Sequence, residues 1–218
     1  MQTHDTDQLF LQIRTAHRLL AAYYQRLLPT IEQIAKGVAL DFYAWAPKDF
    51  ARPGQRSTNP FDRWSWDLLP ALSTHYVFGG FNDANKVEIG EYLVDFTVES
   101  DTGVINNSSI EPDGLTLPIN VNDAKSLLSI NVYVPYQAGP MNWYENIWFA
   151  CESAKISEEP LPQTDPYVKL VSSGFRVPLD ELFLEGSVDV LVKRTQAFIG
   201  AAVDKAKSLA EECQQENS

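Results

Sequence analysis

The chain has 218 residues, with 29 acidic side chains against 17 basic ones and a formal net charge of −12. Its 44% hydrophobic content is that of an ordinary globular protein, which argues against disordered and fibrous classes. A charge of this sign also disfavours direct contact with nucleic acid or an anionic membrane, since both are polyanions.

From the N-terminus, Phe10, Ile13, His17, Leu20, Tyr24, Leu27, Ile31, Ile34 and Val38 recur at alternating spacings of three and four. That is the apolar stripe of an amphipathic helix and keeps a heptad register. Asp5, Thr6 or Asp7 is expected to cap its start. Pro29 has no amide hydrogen and crowds the preceding turn, so the pattern predicts two pieces, 7–28 and 30–37, ending at Gly37. His17 sits on the stripe and reads as a packed or interface histidine.

The period then changes to two. Strands are expected at 39–45, 73–78, 87–99, 127–136, 143–151 and 168–177. The clearest is 127–136, where Leu128, Ile130, Val132, Val134 and Tyr136 share one face. In 87–99 the parity slips at Gly90, which suggests a bulge. Gly79, Gly80, Asn82 and Asp83 suggest a hairpin turn, and the prolines of 158–166 an extended connector. After Gly186, Ser187 is a plausible cap for a second long helix over 187–213. Strands gathered between two helices imply one α+β domain over 1–218. Its antiparallel sheet of about six strands would carry both helices on one face.

No sequence motif commits the chain to a chemistry. Nucleotide-loop, zinc and calcium spacings are absent, so no cofactor or metal is expected. Cys151 and Cys213 fit no redox or metal spacing. The start lacks the basic residues and unbroken apolar run of a secretion signal, so a cytoplasmic location is expected. His75 is the strongest single candidate for a general base, although sequence places no nucleophile beside it. Pro112–Asp113 followed by Asp123-Ala124-Lys125 weakly imitates a metal-dependent nuclease, but both halves look like turns.

Two segments remain as candidate binding surfaces. The loop 47–69 combines Lys48, Arg52, Arg56 and Arg63 with Trp64 and Trp66, residue types enriched at contact surfaces. It could meet a macromolecule or orient an anionic small molecule. Residues 87–165 hold 13 acids and only Lys125 and Lys155, a net −11. Glu91, Asp95 and Glu99 are expected to form a solvent-facing acidic ladder on one strand, and with Glu88 and Asp101 an acidic partner-binding face. The leading expectation is a non-enzymatic interaction protein that meets a basic protein surface, such as a regulator or inhibitor of a nucleic-acid-binding machine. A small-molecule or nucleotide-binding enzyme or sensor is the alternative, and a nuclease a further one. A homodimer through the first helix is also open.

Overall fold

A computed structural model describes residues 3–48, 72–103, 117, 119–151, 155–163 and 168–216. The element order is α1 (Thr3–Gly37), β1 (Asp41–Pro47), β2 (Ser73–Gly80), β3 (Tyr92–Glu99) and β4 (Leu127–Pro135). Then follow α2 (a π-helical stretch Trp143–Trp148 continued by an α-helical turn Phe149–Cys151), β5 (Leu161–Pro162), β6 (Leu170–Pro178) and α3 (Ser187–Glu216). A 3₁₀ turn at Leu179–Phe183 joins β6 to α3.

The strands form one antiparallel sheet in the order β1-β2-β3-β4-β6-β5. Alternation along each strand sends Phe78, Val94, Phe96, Val98, Leu128, Ile130, Val132, Val171, Phe175 and Val177 to one face. On that face they meet Leu27, Ile31, Ile34 and Val38 of α1 and Leu191, Ile199, Ala202 and Ala206 of α3. The chain is therefore α+β, with both long helices on one side of the sheet. The helices approach closely at Gly37, where an added Cβ would lie 2.5 Å from Val192 Cγ2.

Several local expectations are corrected. The first helix is continuous through Pro29. Buried Leu27 and Ile31 flank the proline and hold the helix to the sheet, and Thr30 Oγ1 donates to Arg26 O at 2.8 Å in the adjoining turn. Because α1 begins at Thr3, residues 5–7 lie within its first turns rather than at the position before it. α3 begins at Ser187 itself, so this residue lies in the first turn rather than at the cap, and its Oγ donates to Leu182 O at 2.7 Å. The strand expected at 87–99 starts only at Tyr92: Gly90, at φ +96°, sits in the turn before it, and Val87 makes an isolated bridge to Gly139. The β2–β3 hairpin forms, with Gly79 and Gly80 inside β2.

The largest correction is 143–151, which is helical. Asn142 Oδ1 accepts from the amides of Tyr144 and Glu145, both at 2.9 Å, and so starts a helix. Trp143, Ile147 and Cys151, spaced by four, turn into a second apolar cluster with Val77, Leu93, Tyr133 and Leu170. The sixth strand is instead β5, inside the proline-rich connector.

Candidate functional site

Among the described residues, α2 covers only part of the face opposite the long helices. Strand register aligns the remainder in two rows across the sheet. One row runs Ala46, His75, Thr97, Ser129, Arg176. The other runs Ala44, Val77, Asp95, Asn131, Gly174. Directly paired residues share a face, and diagonal neighbours stay within side-chain reach. The rows therefore lay polar groups side by side on a sheet whose other face is almost wholly apolar.

These residues floor a cavity of about 480 Å³ walled by Pro47, Lys48, Tyr133, Trp148, Cys151 and Ile156. That volume is within the range of small-molecule sites. At its centre, His75 Nδ1 lies 2.8 Å from Asp95 Oδ2, and Thr97 Oγ1 donates to the same oxygen at 2.6 Å. Asp95 is 1% exposed, so the dyad is anchored in the sheet. Trp148 meets the His75 ring edge-on, with centroids 5.2 Å apart. Lys48 Nζ is bound to Glu99 Oε1 at 2.7 Å on the rim.

Two floor atoms are unusual. Asp95 Oδ1 and Ser129 Oγ are buried and have no hydrogen-bond partner among the described residues. Buried polar atoms are nearly always satisfied, so each such case calls for an explanation. Asn131 lies beside them, and Gly174 leaves it room: a Cβ there would sit 2.7 Å from Asn131 Oδ1. Arg176 is exposed at the edge and makes no ion pair among the described residues. Burial, then the nearby Cys151 and Asp95, raises the Tyr133 phenol far above its usual range. It stays protonated, a hydrogen-bond donor rather than a charge.

The acidic ladder is corrected by these positions. Glu91 precedes β3 and is buried, with Oε1 accepting from Asn82 N at 2.9 Å and Oε2 from Glu88 N at 3.0 Å. Asp95 and Glu99 do share a face, but they are engaged by His75 and Lys48. Asp101 Oδ1 accepts from Gly103 N at 2.7 Å in a turn. Only Glu88 of the five is exposed, and it pairs with Lys86 at 2.5 Å. His17 is exposed on α1 rather than packed. Of the basic–aromatic loop, Lys48 reaches the cavity, while Arg52, Arg56, Arg63, Trp64 and Trp66 lie outside the described residues. Asp123 is exposed in a turn, and Asp113 lies outside the described residues. Among the described residues, no three His, Cys, Asp or Glu side chains gather in a way that could hold a metal ion.

Of the cavity residues, the sequence singles out His75 as a general base, Lys48 as part of the basic loop and Asp95 as part of the acidic face. It does not single out Thr97, Ser129, Asn131, Tyr133 or Arg176. Their signal is parity: each occupies the strand face opposite the apolar one, as do Asp95 and His75. The four-residue spacing of Trp143, Ile147 and Cys151 behind Asn142 would have identified the element that walls them in.

Fold and site together define an α+β protein with one sheet face closed by two helices and the other opening into a polar cavity. The chain matches the family described as PM0109 over residues 3–204 and belongs to that family. Neither the curated proteins nor the solved structures contain a match to it. No helix among the described residues is long and apolar enough to cross a membrane.

Proposed function

We propose that this protein binds a small polar molecule in the cavity on the open sheet face, as a sensor or an enzyme of small metabolites. The observation that carries the reading is that two residues lining the cavity, Asp95 and Ser129, each hold a buried polar atom, Oδ1 and Oγ, with no partner among the described residues. Leaving such atoms unpaired costs about 1–3 kcal/mol each, a cost a bound ligand would offset. The His75–Asp95 dyad gives the site a group able to hold or move a proton. A cytoplasmic setting belongs to this reading, with Cys151 Sγ donating to Ile147 O and Lys169 Nζ donating to Cys213 Sγ.

A thermal-shift screen of small polar and phosphorylated compounds tests it. A true ligand at a hundredfold excess over its Kd stabilises by about 2.7 kcal/mol. That gain should shrink in Arg176→Gln and Ser129→Ala and persist in Ser173→Ala, whose side chain lies on the helix face. A shift unchanged in all three variants would place binding elsewhere and refute the proposal, as would a broad library that yields no shift.

A second reading, contact with another macromolecule, is favoured by α1. Its heptad stripe is buried from Leu27 onward, yet Phe10, Ile13 and Leu20 on the same stripe are 41–53% exposed. The occupant in this reading is a second copy. The exposed positions continue the same a/d register, which pairs with a like seam. Residues 6–26 also carry only Asp7 against Arg14, Arg18 and Arg26, so the strong acidity of 87–165 is absent there. Sedimentation should report a dimer that dissociates in Phe10→Glu/Leu20→Glu. A monomer at high micromolar concentration would end this reading.

A further inference from the structure

The chemistry of the cavity floor restricts what can fill it. Asp95 Oδ1 accepts hydrogen bonds and is buried, so the group placed against it must donate one. A bare carboxylate or phosphate oxygen there would set acceptor against acceptor. At the other side stands Arg176, whose planar guanidinium is suited to a carboxylate or phosphate. Lys48 is already committed to Glu99 at 2.7 Å, which among the described lysines and arginines lining the cavity leaves Arg176 for an anion.

The sheet fixes how these two requirements are spaced. Asp95 is on β3 and Arg176 on β6, with β4 between them. Asp95 is level with Gly174, so two strand spacings and a two-residue offset along β6 separate it from Arg176 by about 12 Å of backbone. The long arginine side chain covers part of that gap, and Ser129 and Asn131 of β4 lie beneath the rest. Trp148, Pro47 and Ile156 supply apolar wall for a short carbon chain.

From this we infer that the ligand is two-ended: a hydrogen-bond-donating group, ammonium or hydroxyl, seats on Asp95 and an anionic group on Arg176, joined by a few carbons. The inference rests on the cavity being the ligand site and deepens that reading. Amino acids and hydroxy acids are the two sources of this chemistry.

Four compounds on one carbon frame separate the possibilities: 4-aminobutyrate, 4-hydroxybutyrate, butyrate and butylamine. Each is titrated into the full chain and followed by ¹H–¹⁵N NMR. At least one two-ended compound should bind about tenfold tighter than both one-ended ones, the worth of one charge-assisted hydrogen bond. The preferred two-ended compound tells ammonium from hydroxyl. Asp95→Asn, checked for retained fold by its melting temperature, should bring the two-ended compounds down to the level of butyrate. Ser129→Ala, which removes no fold-supporting contact, should weaken them as well. Arg176→Gln should abolish their advantage over butylamine. Butyrate binding as tightly as the two-ended compounds would overturn the inference while leaving the cavity as an anion site. Binding by none of the four would overturn it too, and the broader screen would then decide the cavity's role independently.

Discussion

Three neighbouring serines give a test in which burial is similar and bonding is not. Ser129, Ser172 and Ser173 are each at most 3% exposed. Ser172 Oγ donates to Lys155 O at 2.7 Å and accepts from Gln163 Nε2. The hydroxyls of Ser129 and Ser173 have no partner among the described residues. Truncating Ser129 to alanine keeps Cβ and removes a hydroxyl whose burial costs about 1–3 kcal/mol. It forfeits only the dispersion contacts of one oxygen, at about 0.1–0.2 kcal/mol each. The expected net effect is stabilisation by about 0.5–2 kcal/mol, a rise in melting temperature of roughly 1–8 °C for a chain of this size. Ser173→Ala should behave the same way. Ser172→Ala should lose about 1–3 kcal/mol, because it removes the two hydrogen bonds of a buried hydroxyl, although Gln163 Nε2 and Lys155 O keep each other. Urea unfolding of the three variants reads all these values. Binding then separates the two stabilised variants: Ser129→Ala should weaken the ligand, whereas Ser173→Ala, which faces the helices, should not. If Ser129→Ala destabilised as much as Ser172→Ala, its hydroxyl would be satisfied and the floor would carry no demand for a ligand.

Other expectations follow from the same contacts. Gly174→Ala would place Cβ 2.7 Å from Ile130 O and from Asn131 Oδ1. It should cost about 1–3 kcal/mol and weaken ligand binding together, as calorimetry and titration would show. Leu27→Ala, in the core, should cost about 2–5 kcal/mol, whereas Leu20→Ala, 53% exposed, should cost well under 1 in the dilute monomer. Equal losses in denaturant unfolding would mean that the start of α1 is packed. Burial raises the phenols of Tyr23, Tyr24 and Tyr76, Tyr24 to about 12. A folded-state value above the unfolded 10 means that each contribution is complete below pH 10 and is lost as pH rises through the raised value, about 12 for Tyr24. An ultraviolet titration should therefore show late-ionising tyrosines and loss of fold between pH 10 and 12. Ionisation of all nine tyrosines near pH 10 in a folded chain would refute this.

The sheet and its helical cover were legible because alternation and heptad spacing are local signals. Val94, Phe96 and Val98 announce a buried face without help from the rest of the chain. The site was less legible, since alternation says which residues share a face and not what lies over it. Asp95 read as a solvent-facing acid because nothing in its own strand reveals His75, which comes within 2.8 Å only through the β2–β3 register. Aromatic and branched residues made 143–151 look like a strand, and its capping asparagine outweighed that composition. Pro29 was expected to break α1, but the core contacts of Leu27 and Ile31 outweigh one lost hydrogen bond and a local clash.

The central claim, that the open sheet face is a ligand site, is tested most directly by mapping NMR shifts on adding the best two-ended compound. The account predicts shifts concentrated at His75, Asp95, Thr97, Ser129, Asn131 and Arg176, with the Asn131 and Arg176 side-chain resonances among the largest. Shifts confined to α1, α3 or the helix-covered face of the sheet would contradict it.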